Sequence, residues 1–396
     1  MNQRTQPNPA QFAVPQTSAA GQHGFGWHNR IIKKLRIADH ADMHRRHAVW
    51  TGWTGICLLA VWLSACGPSA NRPQVDLTPQ PPAASPSPSE TPPPTATAEP
   101  SPTATIDATG TAQFLNIAYE QSALNLDAVS ALVMDAQTGQ VLVEKNARQR
   151  MYPASTTKIM TALLALEYFS LDETLLVGEE VNQSWTKLRI NAQKAGLEYG
   201  QEISVKDLLH GLLLMSGSDA AFVLAFNTAL RASGGSFASV EEGVGYFSAM
   251  MNERARQLGA MDTNFVNPDG FHDPNHYSTA YDLAVISQAA MQNGIFRSIV
   301  QTPLYRSAEL VFDNGAYPLH WQNTNRLLDV HDVHYYTPAN GIKTGTTPEA
   351  GSCLVSSALF GDRLVIAVVL DANMESVWTD SIRLLEYART TLLPGS

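Results

Sequence analysis

The sequence predicts an α+β fold in which one antiparallel sheet, formed by both ends of the globular region, is flanked by helices and covered by a helical insertion. Two β-rich runs surround the turn residues Gln137 to Gly139, and two more surround Gly361 and Asp362. Each pair is typical of a β-hairpin. Apolar residues at helical spacing occupy the region between the two hairpins.

The stretch "YPASTTKIMTALLALEYF", residues 152 to 169, predicts a buried helix. Apolar residues recur at Ile159, Leu163 and Leu166 with a spacing near that of an α-helix. Ser155 and the two following threonines are residue types that cap helices, so we expect the helix to begin at or just before Ser155. Ser155 and Lys158, three apart, then share one face.

Further elements follow in chain order. The run "SVKDLLHGLLLMSGSDAAFVLAFNTAL" predicts two helices broken at Ser216 to Ser218, and a helix is predicted around Tyr246 to Leu258. The segment "NFVNPDGFHDPNHYSTAYDLA" is rich in turn dipeptides and predicts a loop. The run "DSIRLLEYARTTLL" predicts a closing amphipathic helix.

The chain before the globular region is expected to form three parts. Residues 1–42 fit no signal-peptide region and are an extension of uncertain role, with Met43 a candidate initiator. Residues 43–66 have a basic start, an apolar core and the ending Leu63-Ser64-Ala65-Cys66. This ending resembles a bacterial lipobox, which predicts a lipoprotein signal peptide and lipidation of Cys66. A single membrane anchor or an ordinary signal is the alternative.

A spacer separates this signal from the catalytic domain predicted over residues 112–396. Residues 67–111 are rich in Pro, Ser and Thr, and 12 of the 23 prolines lie between Pro68 and Pro102. Such a segment has little apolar surface to bury and predicts a disordered linker. A lipid on Cys66 followed by this linker would tether an exported, extracytoplasmic domain to the bacterial membrane.

Charge and cysteine content exclude several classes of function. The net charge is −10, and residues 1–66 carry seven Lys or Arg against two Asp, which leaves −15 for the remainder. An acidic exported protein is a poor candidate for nucleic-acid binding.

Of the three cysteines, Cys57 lies in the signal, Cys66 is the lipid site and Cys353 stands alone. No disulfide framework or cysteine metal site is predicted, and Cys353, in an apolar strand, is expected to pack rather than react.

Lys158 occupies a position that suits a base better than a structural residue. A positive charge in the first helical turn opposes the helix dipole, which disfavours it by up to about 1 kcal/mol. Apolar surroundings would lower its pKa further and make the neutral amine available to a neighbouring hydroxyl. Ser155 would then be the nucleophile, although alone it could equally be a helix cap.

Two further segments supply the rest of a possible site. Ser216-Gly217-Ser218 falls in a break between apolar helices, where a hydroxyl can point into a cleft. Lys343-Thr344-Gly345-Thr346 leads towards the second hairpin, and Gly345 would leave the backbone open to an extended peptide. Singly, Ser216 could be a turn residue and Lys343 an exposed strand charge. The combination of S-x-x-K, a second serine motif and K-T-G is associated with β-lactamases and penicillin-binding proteins.

At this point the sequence resembles the low-molecular-weight penicillin-binding proteins that are D-alanyl-D-alanine carboxypeptidases, of the β-lactamase/transpeptidase-like superfamily. The resemblance spans roughly Ala128 to Leu385 and includes "YPASTTKIMTALLALE", "SVKDLLHGLLLMSGSDAA", "NFVNPDGF", "HYSTAYDLA", "NTNRLL" and "GIKTGTTPEAGSCLVSSA". It implies the fold of that superfamily, peptidoglycan stem peptides ending in D-Ala-D-Ala as substrate, β-lactams as acylating inhibitors, and no cofactor.

The resemblance also implies roles for individual residues. Ser155 would be the acylated nucleophile, Lys158 its proton acceptor and Ser216 a proton relay to the departing D-alanine. Lys343 and Thr344 would hold the substrate carboxylate, and the N–H groups of Ser155 and Thr346 would form the oxyanion hole. Lys343 near Lys158 would lower the pKa of Lys158 by like-charge repulsion.

The sequence departs from the family pattern at two places. Position 218, usually Asn, is Ser, which makes fewer hydrogen bonds to substrate. A basic residue expected shortly after the last strand is absent from Asp371 to Asp380, and Arg383 is the nearest candidate but is not assigned the role. Separately, His272 and His276, with Asp273 between them, could suggest a metal, but their Pro-containing loop gives no fixed helical spacing, so surface histidines are the favoured interpretation.

Three functions are compared. The favoured one is a serine carboxypeptidase that trims peptidoglycan through an acyl-enzyme on Ser155. A β-lactamase requires fast deacylation, and no carboxylate motif after Ser218 is suited to activate water. A catalytically weak peptidoglycan-binding lipoprotein would explain Ser218 and the missing base, but not the intact set of Ser155, Lys158, Ser216 and Lys343.

Overall fold

The computed structural model describes residues 124–186 and 191–393. The predicted N-terminal extension, the signal peptide with Cys66, and the linker lie outside the described residues. The strands are β1 (Ser130–Asp135), β2 (Val141–Lys145), β3 (Thr174–Leu176), β4 (Glu202–Ser204), β5 (Leu304–Phe312), β6 (Gly315–Gln322), β7 (Ala339–Thr347), β8 (Gly351–Phe360) and β9 (Arg363–Ala372). The α-helices are α1 (Lys158–Tyr168), α2 (Val205–Leu213), α3 (Ser218–Ser233), α4 (Val240–Leu258), α5 (Ala280–Gln292), α6 (Gly294–Val300) and α7 (Ser376–Leu392).

Both predicted hairpins join a single antiparallel sheet, as the sequence predicts. Its strand order is β2-β1-β9-β8-β7, so the N-terminal hairpin pairs with the C-terminal one through β1 and β9. The strands β3 and β4 form one small two-stranded sheet, and β5 and β6 form another. The strand β7 lies at one edge of the large sheet, which leaves its outer side available to other parts of the chain or to a ligand.

The large sheet is buried on both faces. On β9, Ile366 and Val368 join the core shared with α1 and α5, whereas Val365 and Ala367 join the core beneath α7. A strand that is covered on both sides has apolar residues at nearly every position, which explains the apolar run in "RLVIAVVL" on β9. The sheet therefore has helices on both sides.

The helix α1 is surrounded by the other helices of the insertion. Residues 158–165 are all buried, and α1 contacts α2, α3, α4 and α5. A helix that is apolar all round occupies the centre of a domain. The turn that precedes α1 contacts β7 and β8, so the N-terminal end of α1 meets the edge of the large sheet.

Several predicted boundaries were wrong. The helical segment begins just before Ser155 as predicted, but its first turn, Ala154–Thr157, is a 3-10 turn and the α-helix begins only at Lys158. The helix α4 begins at Val240, six residues before the predicted start. The helix α5 begins at Ala280, inside a segment predicted as loop, and the ribbon of β5 and β6 was not predicted. Within the described ranges, none of the helices has the length and apolar content that crossing a bilayer requires.

Candidate active site

Ser155 and Lys158 lie together where the 3-10 turn enters α1. The Lys158 Nζ donates a hydrogen bond to the Ser155 Oγ over 3.1 Å. Lys158 is 1% exposed, whereas Ser155 is partly open to solvent. The expectation that Ser155 caps the helix is wrong, since no side chain caps either the turn or α1. The Ser155 hydroxyl is instead directed to the lysine, which is the contact a nucleophile and its base require.

A loop over residues 267–271 closes one side of this pair. The Lys158 Nζ donates to the Asp269 carbonyl oxygen over 2.6 Å, and the Ser155 Oγ lies 3.4 Å from the same oxygen. The Asn267 side chain fixes the loop by accepting from the Gly270 N–H and donating to the Phe271 carbonyl. The backbone of this loop therefore orients the Lys158 amine. The turn dipeptides in the sequence indicated a loop here but gave no sign of this contact.

The loop lies close to the 3-10 turn Ala154–Thr157, which carries Ser155 and is called the nucleophile turn below. A methyl group on Gly270 would lie 1.8 Å from the Ala154 carbonyl oxygen, and Gly270 has a φ of +77°. Both facts require glycine at this position. Ala154 itself has a φ of 47°, a conformation that costs a non-glycine residue about 1–2 kcal/mol. The residue before the nucleophile is thus held in an unfavourable conformation by its surroundings.

The strand β7 brings Lys343 to the same region. Lys343 is 1% exposed, so it is not the exposed strand charge considered as an alternative. Burial, together with the nearby Lys158 ammonium, lowers the pKa of Lys343 well below its usual value. The sequence argument placed the effect of this repulsion on Lys158. The lowering of the Lys158 pKa stays a prediction, whereas the lowered pKa of Lys343 has burial as its first cause.

The next residues of β7 face the nucleophile turn with their backbone. A methyl group on Gly345 would lie 2.8 Å from the Ser155 backbone nitrogen and 3.0 Å from that of Thr156. Gly345 thus permits the close approach of β7 to the nucleophile. Thr344 shares a hydrogen bond of 2.6 Å with the Thr324 hydroxyl, and Thr346 is exposed. The edge of β7 at Gly345 and Thr346 is where the N–H groups of the expected oxyanion hole would meet.

The second serine motif connects to β7 through one residue. Ser216 is 6% exposed and has a φ of 63° in the break between α2 and α3, and Ser218 is the first residue of α3. The Thr324 N–H donates to the Leu214 carbonyl in this break, while the Thr324 hydroxyl bonds Thr344. The break and the K-T-G segment are therefore adjacent elements. The roles of Ser216 and Ser218 stay predictions.

A buried carboxylate holds the break in place. Asp219, fully buried, accepts hydrogen bonds from the backbone N–H groups of Ala195, Gly196 and Leu197. The Ser218 N–H donates to the Gln193 carbonyl. A carboxylate that accepts several backbone hydrogen bonds is a strong local anchor. Sequence reasoning did not identify Asp219, although its position next to the motif was visible.

The remaining candidate residues, Cys353, Arg383 and His276, are buried or bonded to other parts of the fold. Cys353 is 2% exposed, and burial raises the pKa of its thiol to about 12, as expected for a packed cysteine. Arg383 lies on α7 and bonds Asp380 and the Asn125 carbonyl. The prediction of surface histidines was wrong for His276, which is 2% exposed. Among residues 124–186 and 191–393, no group of three or more His, Cys, Asp or Glu side chains is arranged to hold a metal.

Comparisons with known proteins agree with this geometry. Residues 117–374 match the D-alanyl-D-alanine carboxypeptidase family, peptidase family S11. D-alanyl-D-alanine carboxypeptidase DacF of Bacillus subtilis is 35% identical over 254 residues, which cover 64% of this chain and 59% of that protein. The D-alanyl-D-alanine carboxypeptidase of Streptomyces strain K15 is 35% identical over 263 residues, or 66% of this chain and 86% of that one. The chain thus spans about three fifths of DacF.

Solved structures show the same fold. The crystal structure of the Streptomyces K15 DD-transpeptidase has a TM-score of 0.59 and 35% identity, and the match covers 66% of this chain and 97% of that chain. A penicillin-binding protein homolog from Mycobacterium tuberculosis has a TM-score of 0.57 and 29% identity, with 69% and 94% covered. The predicted β-lactamase/transpeptidase-like architecture is therefore confirmed.

Proposed function

The chain belongs to the D-alanyl-D-alanine carboxypeptidase family, and we propose that it is a serine-type carboxypeptidase that removes the terminal D-alanine from peptidoglycan stem peptides. The observation that carries the proposal is the hydrogen bond of 3.1 Å between the Lys158 Nζ and the Ser155 Oγ, next to a second buried lysine on β7. A hydroxyl in contact with a buried amine is suited to acyl transfer.

In the proposed reaction, the Ser155 Oγ attacks the carbonyl carbon of the penultimate D-alanine, and Lys158 accepts the hydroxyl proton. The carbonyl oxygen takes up negative charge, which the N–H groups of Ser155 and Thr346 would stabilise by about 3 kcal/mol each. The C–N bond then breaks, and the leaving amine takes a proton relayed by Ser216. Water hydrolyses the ester on Ser155 and regenerates the enzyme.

The lysine on β7 would bind rather than react. Lys343, with the Thr344 hydroxyl beside it, would hold the terminal carboxylate of the substrate. A bound carboxylate favours the charged form of the lysine, which compensates for the cost of its burial. A penicillin would acylate Ser155 in the same way, because its β-lactam carbonyl and its carboxylate correspond to those of the peptide. Ser218 in place of Asn would weaken substrate positioning without changing the reaction.

One experiment compares the three candidate functions. The full chain in detergent is incubated with a labelled penicillin and, separately, with a D-Ala-D-Ala pentapeptide. We expect persistent labelling and release of D-alanine, both reduced by at least about 1,000-fold in Ser155→Ala. Ser298→Ala, which removes an exposed serine on α6, is the matched control and should behave as wild type. Rapid penicillin turnover would indicate a β-lactamase, and neither activity would indicate a binding lipoprotein.

The location of the enzyme is a separate proposal. The family acts on peptidoglycan, so we place the catalytic domain outside the cytoplasmic membrane, tethered by a lipid on Cys66 and the linker of residues 67–111. The lipobox-like sequence that ends at Cys66 supports this. In cells labelled with radioactive palmitate, the wild-type chain should carry label and Cys66→Ser should not. Unlabelled wild-type protein that remains in the membrane fraction would instead indicate an uncleaved anchor.

A further inference from the structure

We propose that His276 is a positioning residue of the active site, which as a neutral imidazole holds the nucleophile turn through the Thr157 hydroxyl. The inference rests on the proposed function, because the turn that it concerns carries Ser155. His276 follows the loop of residues 267–271 and is 2% exposed, and Thr157 is fully buried. The His276 Nε2 and the Thr157 Oγ1 lie 2.8 Å apart.

The hydrogen bonds define the protonation state of His276. The Val266 backbone N–H donates to the His276 Nδ1 over 3.1 Å. A backbone N–H can only donate, so the Nδ1 must be unprotonated. The ring proton of the neutral imidazole is then on the Nε2, which donates to the Thr157 Oγ1. An imidazolium would place a second proton on the Nδ1, directly against the Val266 N–H.

The chain of hydrogen bonds continues to the residue before the nucleophile. The Thr157 hydroxyl, having accepted from His276, donates its own proton to the Ala154 carbonyl over 2.8 Å. Each proton in the chain therefore meets one acceptor. Such a fully satisfied buried network has a single arrangement and resists distortion.

The network acts on a strained part of the backbone. Ala154 has a φ of 47°, and its carbonyl oxygen also meets the backbone of Gly270. Without the Thr157 hydroxyl, the Ala154 carbonyl loses one hydrogen bond and the turn can relax towards a common conformation. Ser155 would then move away from Lys158 and β7. A misplacement of about 1 Å at a reacting group costs on the order of 100-fold in rate.

The network reaches the nucleophile turn through Thr157. The His276 ring contacts the Thr157 hydroxyl, the Val266 N–H and the Phe265 ring, and the first of these contacts joins it to the turn that carries Ser155. The helix α3 offers a matched comparison. The Thr228 hydroxyl is also fully buried and donates to a backbone carbonyl, that of Leu224, over 2.6 Å, and this hydrogen bond lies within α3.

The test uses three threonine variants of the full chain in detergent. Time-resolved labelling with penicillin separates the initial binding constant from the acylation rate. We expect Thr157→Val to slow acylation by on the order of tenfold or more and to change the binding constant by less than about twofold. Thr157→Ser keeps the hydroxyl and should restore acylation. Thr228→Val should lower Tm by a similar amount and leave acylation at the wild-type rate.

Two results would overturn the proposal. One is equal slowing by Thr157→Val and Thr228→Val, which would mean that both threonines only support the fold. The other is a wild-type acylation rate in Thr157→Val. A double variant with His276→Phe provides a further check, because two residues in one chain of hydrogen bonds should give losses that do not add. Additive losses would mean that His276 does not act through Thr157.

A spectroscopic measurement keeps the proposal testable if the variants fold poorly. In the wild-type chain labelled with ¹⁵N-histidine, the His276 resonances should show an unprotonated Nδ1 and a protonated Nε2 at neutral pH. An imidazolium or the opposite tautomer would contradict the inference. This readout does not depend on activity. If the wild-type chain is not acylated by penicillin, the proposed function fails, whereas the tautomer still tests the network.

Discussion

Lys343 places a cationic side chain inside the protein, and this has a consequence for stability. Its pKa is lowered well below 10.5, first by burial and second by the Lys158 ammonium. Between the lowered pKa and about 10.5, the unfolded chain binds more protons at this residue than the folded chain. The free energy of unfolding therefore rises with pH across that window. The residue therefore weakens the fold at neutral pH.

A substitution at this residue tests the argument. Lys343→Met keeps most of the side-chain volume and removes the ionisable group. We expect it to have a higher Tm than the wild type at pH 7 and the difference to shrink towards pH 10, while release of D-alanine is lost. Lys206→Met, which removes an exposed lysine of α2, should show no such pH dependence. A Lys343→Met protein that is less stable than the wild type at both pH values would contradict the sign.

At the scale of residues, the sequence identified side-chain chemistry but not the contribution of the backbone. The types and order of Ser155, Lys158 and Lys343 carry the signal in the sequence, and the Lys158 Nζ lies 3.1 Å from the Ser155 Oγ. The Asp269 carbonyl that orients Lys158 has no such signal, since every residue has a carbonyl. His276 was assigned to the surface because a Pro-containing loop gives His272 and His276 no fixed helical spacing for a metal. Its burial depends on how that loop packs against the turn before α1.

At the scale of elements, the contact between the loop of residues 267–271 and the nucleophile turn can be broken by one methyl group. In Gly270→Ala, the new Cβ would lie 1.8 Å from the Ala154 carbonyl oxygen, so one of the two segments must move. We expect acylation by penicillin to fall by on the order of 100-fold, with a clear loss of Tm.

The matched control separates this clash from the cost of backbone conformation. Gly200 has a φ of +87° and nothing within 4 Å of an added methyl group. Gly200→Ala should therefore cost only the conformational strain of about 1–2 kcal/mol and leave the acylation rate unchanged. If the two variants are acylated at the same rate, the close approach of the loop has no role in catalysis.

One helix and one two-stranded ribbon were not predicted from the sequence, for different physical reasons. The helix α5 carries a start signal, because the Thr279 side chain accepts from the Asp282 N–H in the sequence Thr-Ala-Tyr-Asp. The turn dipeptides just before it outweighed that signal. The strands β5 and β6 are largely exposed and form an isolated ribbon, so they lack the apolar alternation that reveals a strand packed on a core.

At the scale of the whole molecule, the sheet explains why both ends of the globular region are needed. The strand β1 is inserted between β2 and β9, and all of its residues are buried. The pattern of apolar runs predicted this arrangement, since hairpins at both termini with helices between them favour one shared sheet. The pairing of β1 with β9 depends on contacts between residues more than 200 positions apart, which no local pattern specifies.

The last prediction concerns truncation from the N-terminal end. A chain that begins at Ala112 keeps β1 and β2, and should match the full chain in Tm and in acylation by penicillin.

A chain that begins at Gln149 lacks both strands. On β1 alone, burial of Leu132, Val133 and Met134 contributes about 5–9 kcal/mol, which is comparable to the net stability of a whole domain. The shorter chain would also expose the edge of β9, an apolar strand with unpaired backbone groups. We therefore expect it to aggregate or to unfold without a cooperative transition, measured by circular dichroism and calorimetry. A cooperative transition in that chain, with penicillin acylation retained, would show that β7, β8 and β9 can support the active site without the N-terminal hairpin.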